Sequence, residues 1–448
     1  MKKLIYFLVF SVFLGTQIFA FNIGFKLSMY RILFLLVFSL CIVMFFNNDQ
    51  RLRFYSGKLS SSYASFYLFW LFYSLISIAW SQSITGWLKA NIFIGIGVFT
   101  ILFIHLFMKE KKDILNLFKS LAAGVSLHVI LGLFEILTGR YIWANDYFMT
   151  KYRPQYASVL NRYPISIYAN HNDYATVLLM GSFIFIFMIR HTKKITIKSW
   201  YFIMLLSSIF LINQTESRAN LLALYIGISV MGIVYFSSII RKKWLISGTI
   251  GVIVLSLFGI IASSNLREKI LSVIYMIKGN VVYDGSSNMT RMNLIKNGFY
   301  FLRETFGFGV GAGNIEHVMQ SNPPYQIGTI IHMHNWWMEI LTGYGIIIFA
   351  LYLIVYFSMM RRAYTYYRHS RDSFIRKASL SIIGYLSAFV LSSISSATNI
   401  INEWQWIVFG VIIAFFAYCE SQHVRKKVYL KNKENISFKK EILGGQHG

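Results

Sequence analysis

The sequence is a succession of apolar runs of about 20 residues, separated by short basic or polar segments. A helix needs roughly 20 residues to cross a hydrocarbon core about 30 Å thick. The runs predict about twelve spans, near residues 4–21, 29–46, 62–80, 86–107, 114–138, 173–189, 199–213, 219–240, 244–262, 336–360, 379–398 and 403–419. The run at 199–213 is the weakest, being short and closely followed by the next. Charged residues make up only 13% of the 448, against roughly 25% in a soluble chain. They are too few to coat a water-exposed surface. A soluble enzyme, a disordered chain and a collagen-like fibre are therefore excluded. The expected fold class is an all-α polytopic membrane protein. All four prolines, Pro154, Pro164, Pro323 and Pro324, fall in predicted loops.

The net charge of +26 arises from 43 Lys+Arg against 17 Asp+Glu. Membrane orientation accounts for it, because cytoplasmic loops collect Lys and Arg; no nucleic-acid partner is expected. With the N-terminus inside, about 28 of the 43 cations fall on inside segments. Those segments begin at Lys2 and Lys3, continue through Lys109–Lys112, Arg190–Lys198 and Arg361–Lys377, and end in the tail. Both termini are thus expected in the cytoplasm. Residues 1–419 read as a single transmembrane domain and 420–448 as a basic cytoplasmic tail. The start imitates a secretory signal, but Ile18 stands where cleavage before Phe21 would want a small residue, so an uncleaved first span is expected. Cys41 and Cys419 lie in apolar runs, where packing is their expected role.

Two outside loops are long, at about 139–172 and 263–335, and function is expected there. They carry cations that orientation does not explain, among them Arg140, Lys151, Arg153, Arg162, Lys278, Arg291, Lys296 and Arg303. Arg218 lies in a third outer position, within Glu216-Ser217-Arg218-Ala219-Asn220-Leu221, where one span ends and the next begins. Ser217 reads as a helix N-cap. The first-turn N–H groups and a guanidinium fork together could cradle a phosphate; the alternative is an arginine that snorkels to the interface. Asn288 to Gly298 reads as a short helix, capped by Asn288 and stopped by Gly298, carrying Arg291. The run Gly307-Phe308-Gly309-Val310-Gly311-Ala312-Gly313-Asn314 lacks a preceding strand, so nucleotide binding is rejected in favour of tight backbone packing.

His332-Met333-His334-Asn335-Trp336-Trp337-Met338-Glu339 opens the tenth span. Two histidines without a third ligand at a recognisable spacing do not make a metal site, and no metal or cofactor is expected. A histidine at a span's outer end can serve as a general base. Trp336 and Trp337 read as interfacial aromatics. Tyr168-Ala169-Asn170-His171-Asn172-Asp173 closes the first long loop, with Asp173 suited to a helix start.

In order and spacing these motifs resemble the bacterial O-antigen ligase/polymerase superfamily. The resemblance rests on Ser217-Arg218 before Leu221-Leu222, on Arg291, on the glycine run to Asn314, and on His334-Asn335 followed by Glu339-Ile340-Leu341 and Gly343-Tyr344-Gly345. Ala79-Trp80-Ser81 and Gly132-Leu133-Phe134-Glu135 support it, and it covers nearly the whole chain. Where family members often carry Asn-Pro-Asn, this chain has Asn170-His171-Asn172.

The resemblance implies a glycosyltransferase in the bacterial cytoplasmic (inner) membrane, acting at its outer face. Its donor would be an oligosaccharide on undecaprenyl diphosphate, embedded in membrane lipid, and its acceptor a glycan hydroxyl. A flippase and a chain-length regulator are further candidate partners. Arg218 and Arg291 are the cations available to the leaving diphosphate, and His334 would take the acceptor proton. Ser217, Asn335, Glu339, Asn172, His171 and Asn314 are the candidate substrate contacts. Inversion by direct displacement is expected, since no paired carboxylates stand out for a double displacement. A polymerase of repeat units is favoured over a ligase that moves a finished glycan to a terminal acceptor. Residue usage rich in Ile, Lys, Asn, Phe and Tyr suits a low-GC Gram-positive bacterium, whose product would be teichuronic acid or capsule. A transporter or flippase is the alternative from another class, with Glu135 as its main acidic candidate inside a span.

Overall fold

The computed structural model describes residues 1–22, 26–48, 58–142, 163–237, 287–321, 323–396, 398 and 400–422. The expected span 244–262, the basic tail beyond 422, and Lys151, Arg153, Arg162 and Lys278 lie outside the described residues.

Ten helices among the described residues are long and apolar enough to cross a membrane, and they match ten of the expected spans. In chain order the helices are α1 (Lys2–Ser11), α2 (Gly15–Ile18), α3 (Met29–Phe46), α4 (Lys58–Ile76), α5 (Ile84–Phe107), α6 (Lys111–Thr138) and α7 (His171–His191). They continue with α8 (Ile195–Gln214), α9 (Arg218–Phe236), α10 (Ser287–Glu304), α11 (Ile315–Ser321), α12 (Trp336–His369) and α13 (Ser373–Ser392). The last described helix is α14 (Glu403–Gln422). Local chemistry starts many of them. Side-chain oxygens of Ser28, Ser83, Asn170, Asn335 and Asp372 accept first-turn N–H groups of α3, α5, α7, α12 and α13. Glu110 and Asp113 form a capping box on α6, which ends on the left-handed Gly139.

The first expected span, 4–21, is not one continuous helix. It is α1, a 3-10 turn at Val12–Leu14, then α2, and it ends in a hairpin of β1 (Ala20–Asn22) and β2 (Lys26–Ser28), with Phe21 opposite Leu27. Gly15, at φ 56°, breaks the helical path where Ile167 packs against it.

Helices α14, α7 and α13 form the centre, with 94%, 78% and 78% of their apolar windows buried, whereas α3 and α8, at 22%, lie at the periphery. At the heart of the bundle, Trp70 packs its ring within 6 Å of Trp336, Tyr344, Tyr352 and Trp406. Trp336 is therefore no interfacial aromatic: it is 2% exposed, and its indole N–H donates to the Tyr352 hydroxyl at 2.8 Å.

Contacts divide the bundle into two ends. At one, Lys2 pairs with Asp113 at 2.7 Å, Lys111 with Asp372 at 3.1 Å and Arg362 with Glu420 at 2.7 Å. This is the end rich in Lys and Arg. At the other, the α6–α7 connection, the α8–α9 turn, the segment from α10 to the start of α12, and the α13–α14 connection meet. Glu135 holds the first of these by accepting the N–H groups of Ile165 and Ser166 at 2.8 and 2.9 Å. The acid singled out inside a span is thus fixed to loop backbone.

Candidate functional site

The glycine run makes the floor of the site. Gly307, Gly309, Gly311 and Gly313 all have positive φ. A β-carbon on Gly309 would lie 2.6 Å from Gly345 N, and one on Gly313 2.1 Å from Gly86 O. With those carbons absent, the glycine run bonds to α12: Val310 N–H donates to Thr342 O at 2.9 Å and Gly311 N–H to Gly343 O at 3.0 Å. The carbonyls that receive these bonds are free because Gly345, at φ 79°, breaks α12. Asn314 is fully buried. Its amide accepts from Ser83 N–H at 2.6 Å and donates to Ala312 O at 2.8 Å. This expected substrate contact is instead a staple between the glycine run and the start of α5. Gly298, expected to end a short helix, lies inside α10, where a β-carbon would meet Thr342 Oγ1 at 2.7 Å. It lets α10 lie against α12.

A polar network joins three segments that are far apart in sequence. Ser217 Oγ donates to Asn172 Oδ1 at 2.7 Å and accepts from Asn220 Nδ2 at 2.9 Å. Ser217 precedes α9 but gives that helix no side-chain cap. Asn220, fully buried, also donates to Ser395 Oγ at 2.9 Å. Ser396 donates to Asp173 Oδ1 at 2.6 Å. The His171 ring lies tilted against that of Tyr163, with centroids 4.7 Å apart, and meets the Asn172 amide at 3.2 Å.

His334 stands beside this network. Its backbone is left-handed, φ 50°, a conformation that costs a residue with a side chain on the order of 1–3 kcal/mol. Burial lowers its imidazole from the usual 6.5 to about 4, and the Arg291 and His332 charges push the same way. The backbone of Ser395 and Ser396 opposes the shift. Nδ1 is buried with no hydrogen-bond partner among the described residues. Arg291, on α10, is half-buried, and desolvation lowers its pKa. No ion pair neutralises it among the described residues. Arg218 is exposed in the first turn of α9, next to the residue that binds Asn172.

Residues 202–353 match the family model described as O-antigen ligase. Teichuronic acid biosynthesis protein TuaE of Bacillus subtilis (strain 168) is 27% identical over 413 residues, covering 92% of this chain and 83% of that protein.

The matched stretch contains Ser217, Arg218, Arg291, Asn314, His334, Asn335 and Glu339, but not the Asn172 and Ser395 sides of the network. The fold adds those. It also adds a cavity of about 200 Å³, whose lining includes Lys89, Phe93, Glu316, His332, Glu339 and Thr398. His332 Nδ1 meets Glu316 Oε1 at 2.9 Å. That contact raises the His332 pKa and lowers that of Glu316. Glu339 is 5% exposed and accepts from Thr398. Asn335 spends its carbonyl oxygen on the α12 cap, at 3.1 Å from Trp337 N and 3.3 Å from Met338 N. Asn220, Ser395, Ser396 and Thr398 were not singled out in the sequence. The signal for the last three was the hydroxyl-rich stretch Ser392 to Thr398 after an apolar span, which reads equally well as the small-residue end of a packed helix.

Proposed function

We propose that this multi-pass membrane protein of polysaccharide biosynthesis is a glycosyltransferase, acting on undecaprenyl-diphosphate-linked glycans at the outer face of the cytoplasmic membrane. The observation that carries the reading is the pairing of a half-buried Arg291, without an ion pair among the described residues, with a neutral, partly buried His334. A displacement at an anomeric carbon releases a diphosphate whose charge grows as the bond breaks. Arg291 and Arg218 are fixed guanidinium donors for that charge, able to hold two phosphate oxygens each. The acceptor hydroxyl oxygen bonds to the anomeric carbon and its proton passes to the His334 imidazole. The carbon–oxygen bond to the diphosphate breaks, and the diphosphate keeps the electron pair. One displacement inverts the anomeric centre. With guanidinium groups on the leaving group, the reaction is expected to persist in EDTA.

His334 suits the base role because it is neutral at neutral pH. An imidazole held near 4 is a weak base in the empty site. A bound diphosphate offsets the Arg291 charge and makes it stronger when the donor is present. Ser217, Asn172 and Asn220 support Arg218 by holding the start of α9 against α7.

A polymerase of repeat units is favoured over a ligase, because the relative TuaE is named for the biosynthesis of teichuronic acid, a polymer. Purified full-length protein in nanodiscs, given lipid-linked repeat units alone, is expected to make a ladder of lengthening lipid-linked products in EDTA. A single transfer, seen only when a separate terminal acceptor is added, would instead identify a ligase. No transfer under either condition would refute the glycosyltransferase reading.

A further inference from the structure

We infer that the cavity bounded by Glu339, Thr398, Phe93 and Ile401 seats one uncharged pyranose, the acceptor sugar, apart from the arginine half of the site. This rests on the glycosyltransferase reading and assigns its second substrate a place.

The walls come from four segments: the early turns of α5, the end of the glycine run, the residues before and within the first turns of α12, and the α13–α14 connection. A volume of about 200 Å³ equals roughly seven waters at about 30 Å³ each, room for one six-membered sugar ring. Its depth is buried, with Glu339 at 5% and Tyr344 at 1% exposed, while its rim is open, with Ile401 at 44%.

The charges separate this cavity from the diphosphate. Two carboxylates, Glu316 and Glu339, line it, and neither Arg218 nor Arg291 does. The cations lining it are Lys89, exposed at the rim, and His332, which is tied to Glu316; Arg31, over the Phe93 ring at 5.0 Å, is paired with Glu403 at 2.8 Å. A diphosphate placed here would lose water beside a buried carboxylate. A sugar hydroxyl has the opposite preference: it donates to a carboxylate such as Glu339, which already accepts from Thr398. The apolar C–H face of a pyranose then has Phe93 and Ile401 to cover it. A uronic acid would bring a third carboxylate into the same space.

His334 does not line the cavity, but its two preceding residues do. His332 and Met333 are part of its wall, and the His332 and His334 ring centroids are 6.4 Å apart.

The test uses detergent-purified full-length protein and saturation-transfer NMR. The probes are methyl glycosides of uncharged hexoses and N-acetylhexosamines, methyl glucuronide, and inorganic pyrophosphate. At least one uncharged glycoside should give a signal, and the glucuronide should give little. Ile401→Trp fills the cavity from its exposed rim and should cut the signal at least fivefold, as should Glu339→Gln. Saturating pyrophosphate and Arg291→Ala should leave it unchanged. In the transfer assay, Ile401→Trp should raise the acceptor KM at least tenfold and move the donor KM less than twofold. The inference is overturned if pyrophosphate displaces the sugar, if Ile401→Trp leaves sugar binding intact, or if it is the donor KM that rises. Sugar binding without any glycan transfer would instead refute the glycosyltransferase reading and leave the sugar site standing. Transfer that is indifferent to Ile401→Trp would do the reverse.

Discussion

Ser217 Oγ donates to Asn172 Oδ1 at 2.7 Å and so fastens the start of α9 to the start of α7, 45 residues away in sequence. The serine is in the N-cap position of α9 but caps nothing. Its hydroxyl is used between helices, and its oxygen receives the Asn220 amide. Arg218, the next residue, is exposed in the first turn of the helix so fastened.

The arginines are the first place to test this arrangement. Lysine keeps the charge but loses the planar fork. Arg218→Lys and Arg291→Lys should each lower the transfer rate, and the alanine variants should lose about 10²–10³-fold, or roughly 3–4 kcal/mol of transition-state stabilisation. Arg303, exposed and 3.4 Å from Glu304, is the comparison, and Arg303→Ala should be nearly silent. Equal losses at all three positions would mean a diffuse electrostatic attraction rather than a clamp.

Removing the proposed base should lower turnover by roughly 10²–10⁴-fold while donor lipid still binds. The pH dependence gives a second check. The His334 pKa is lowered to about 4, and the neutral form is the competent base. In kcat/KM, which reports the free enzyme, activity should hold from pH 8 down to about 5 and fall only near 4. A fall centred on 6.5 that disappears in His171→Ala would move the role to His171.

The Asn220 amide nitrogen donates to Ser217 Oγ, Ser395 Oγ and Asn172 O. Asn220→Ala leaves those buried groups without it and should cost about 1–3 kcal/mol of stability. Thermal unfolding in detergent measures this, and an unchanged midpoint would show that the network holds without its centre.

The Glu316–His332 contact should make the cavity rim sensitive to pH. Pairing raises His332 above 6.5 and lowers Glu316 below 4.5. The His332 contribution is complete below pH 6.5 and lost as pH climbs through the raised value. The Glu316 contribution is complete above pH 4.5 and lost as pH falls through the lowered value. Hydrogen exchange in α11, corrected for intrinsic rate, should therefore be slower at pH 5.5 than at pH 8.5. Glu316→Gln should remove the difference, and if the variant keeps it, the contact does not hold the rim.

The backbone at Gly345 and Gly309 tolerates no side chain. A β-carbon on Gly345 would stand 2.3 Å from Gly307 O, and both residues have φ near 80°. Alanine at either position should prevent accumulation of folded protein in the membrane, read by fluorescence-detected gel filtration. Gly95, with nothing within 4 Å, is the control, and Gly95→Ala should accumulate normally.

The sequence by itself determined the helices and their membrane character. The cost of leaving backbone groups unbonded in hydrocarbon allows little but a helix over a run such as Ile84–Phe107. The caps at Ser83, Asn170, Asn335 and Asp372 act within one turn of themselves, yet the residue that the sequence reading named for a spanning helix, Ser217, caps nothing. The sequence failed where a residue's partner is remote. Gly298 looks like a helix stop until α12 is laid against it, and Asn314 looks like a substrate contact until Ser83 arrives. Trp336 has the composition of an interfacial aromatic, and only the approach of Trp70 and Tyr352 makes it core. Tertiary structure decided these, along with the meeting of Asn172, Ser217, Asn220 and Ser395 and the cavity beside His332. Hydropathy fixes how long a segment is and that it crosses. Which small polar residues face each other across the bundle depends on helix rotation and on close backbone approach at a few glycines, and neither is written in the pattern of any single run.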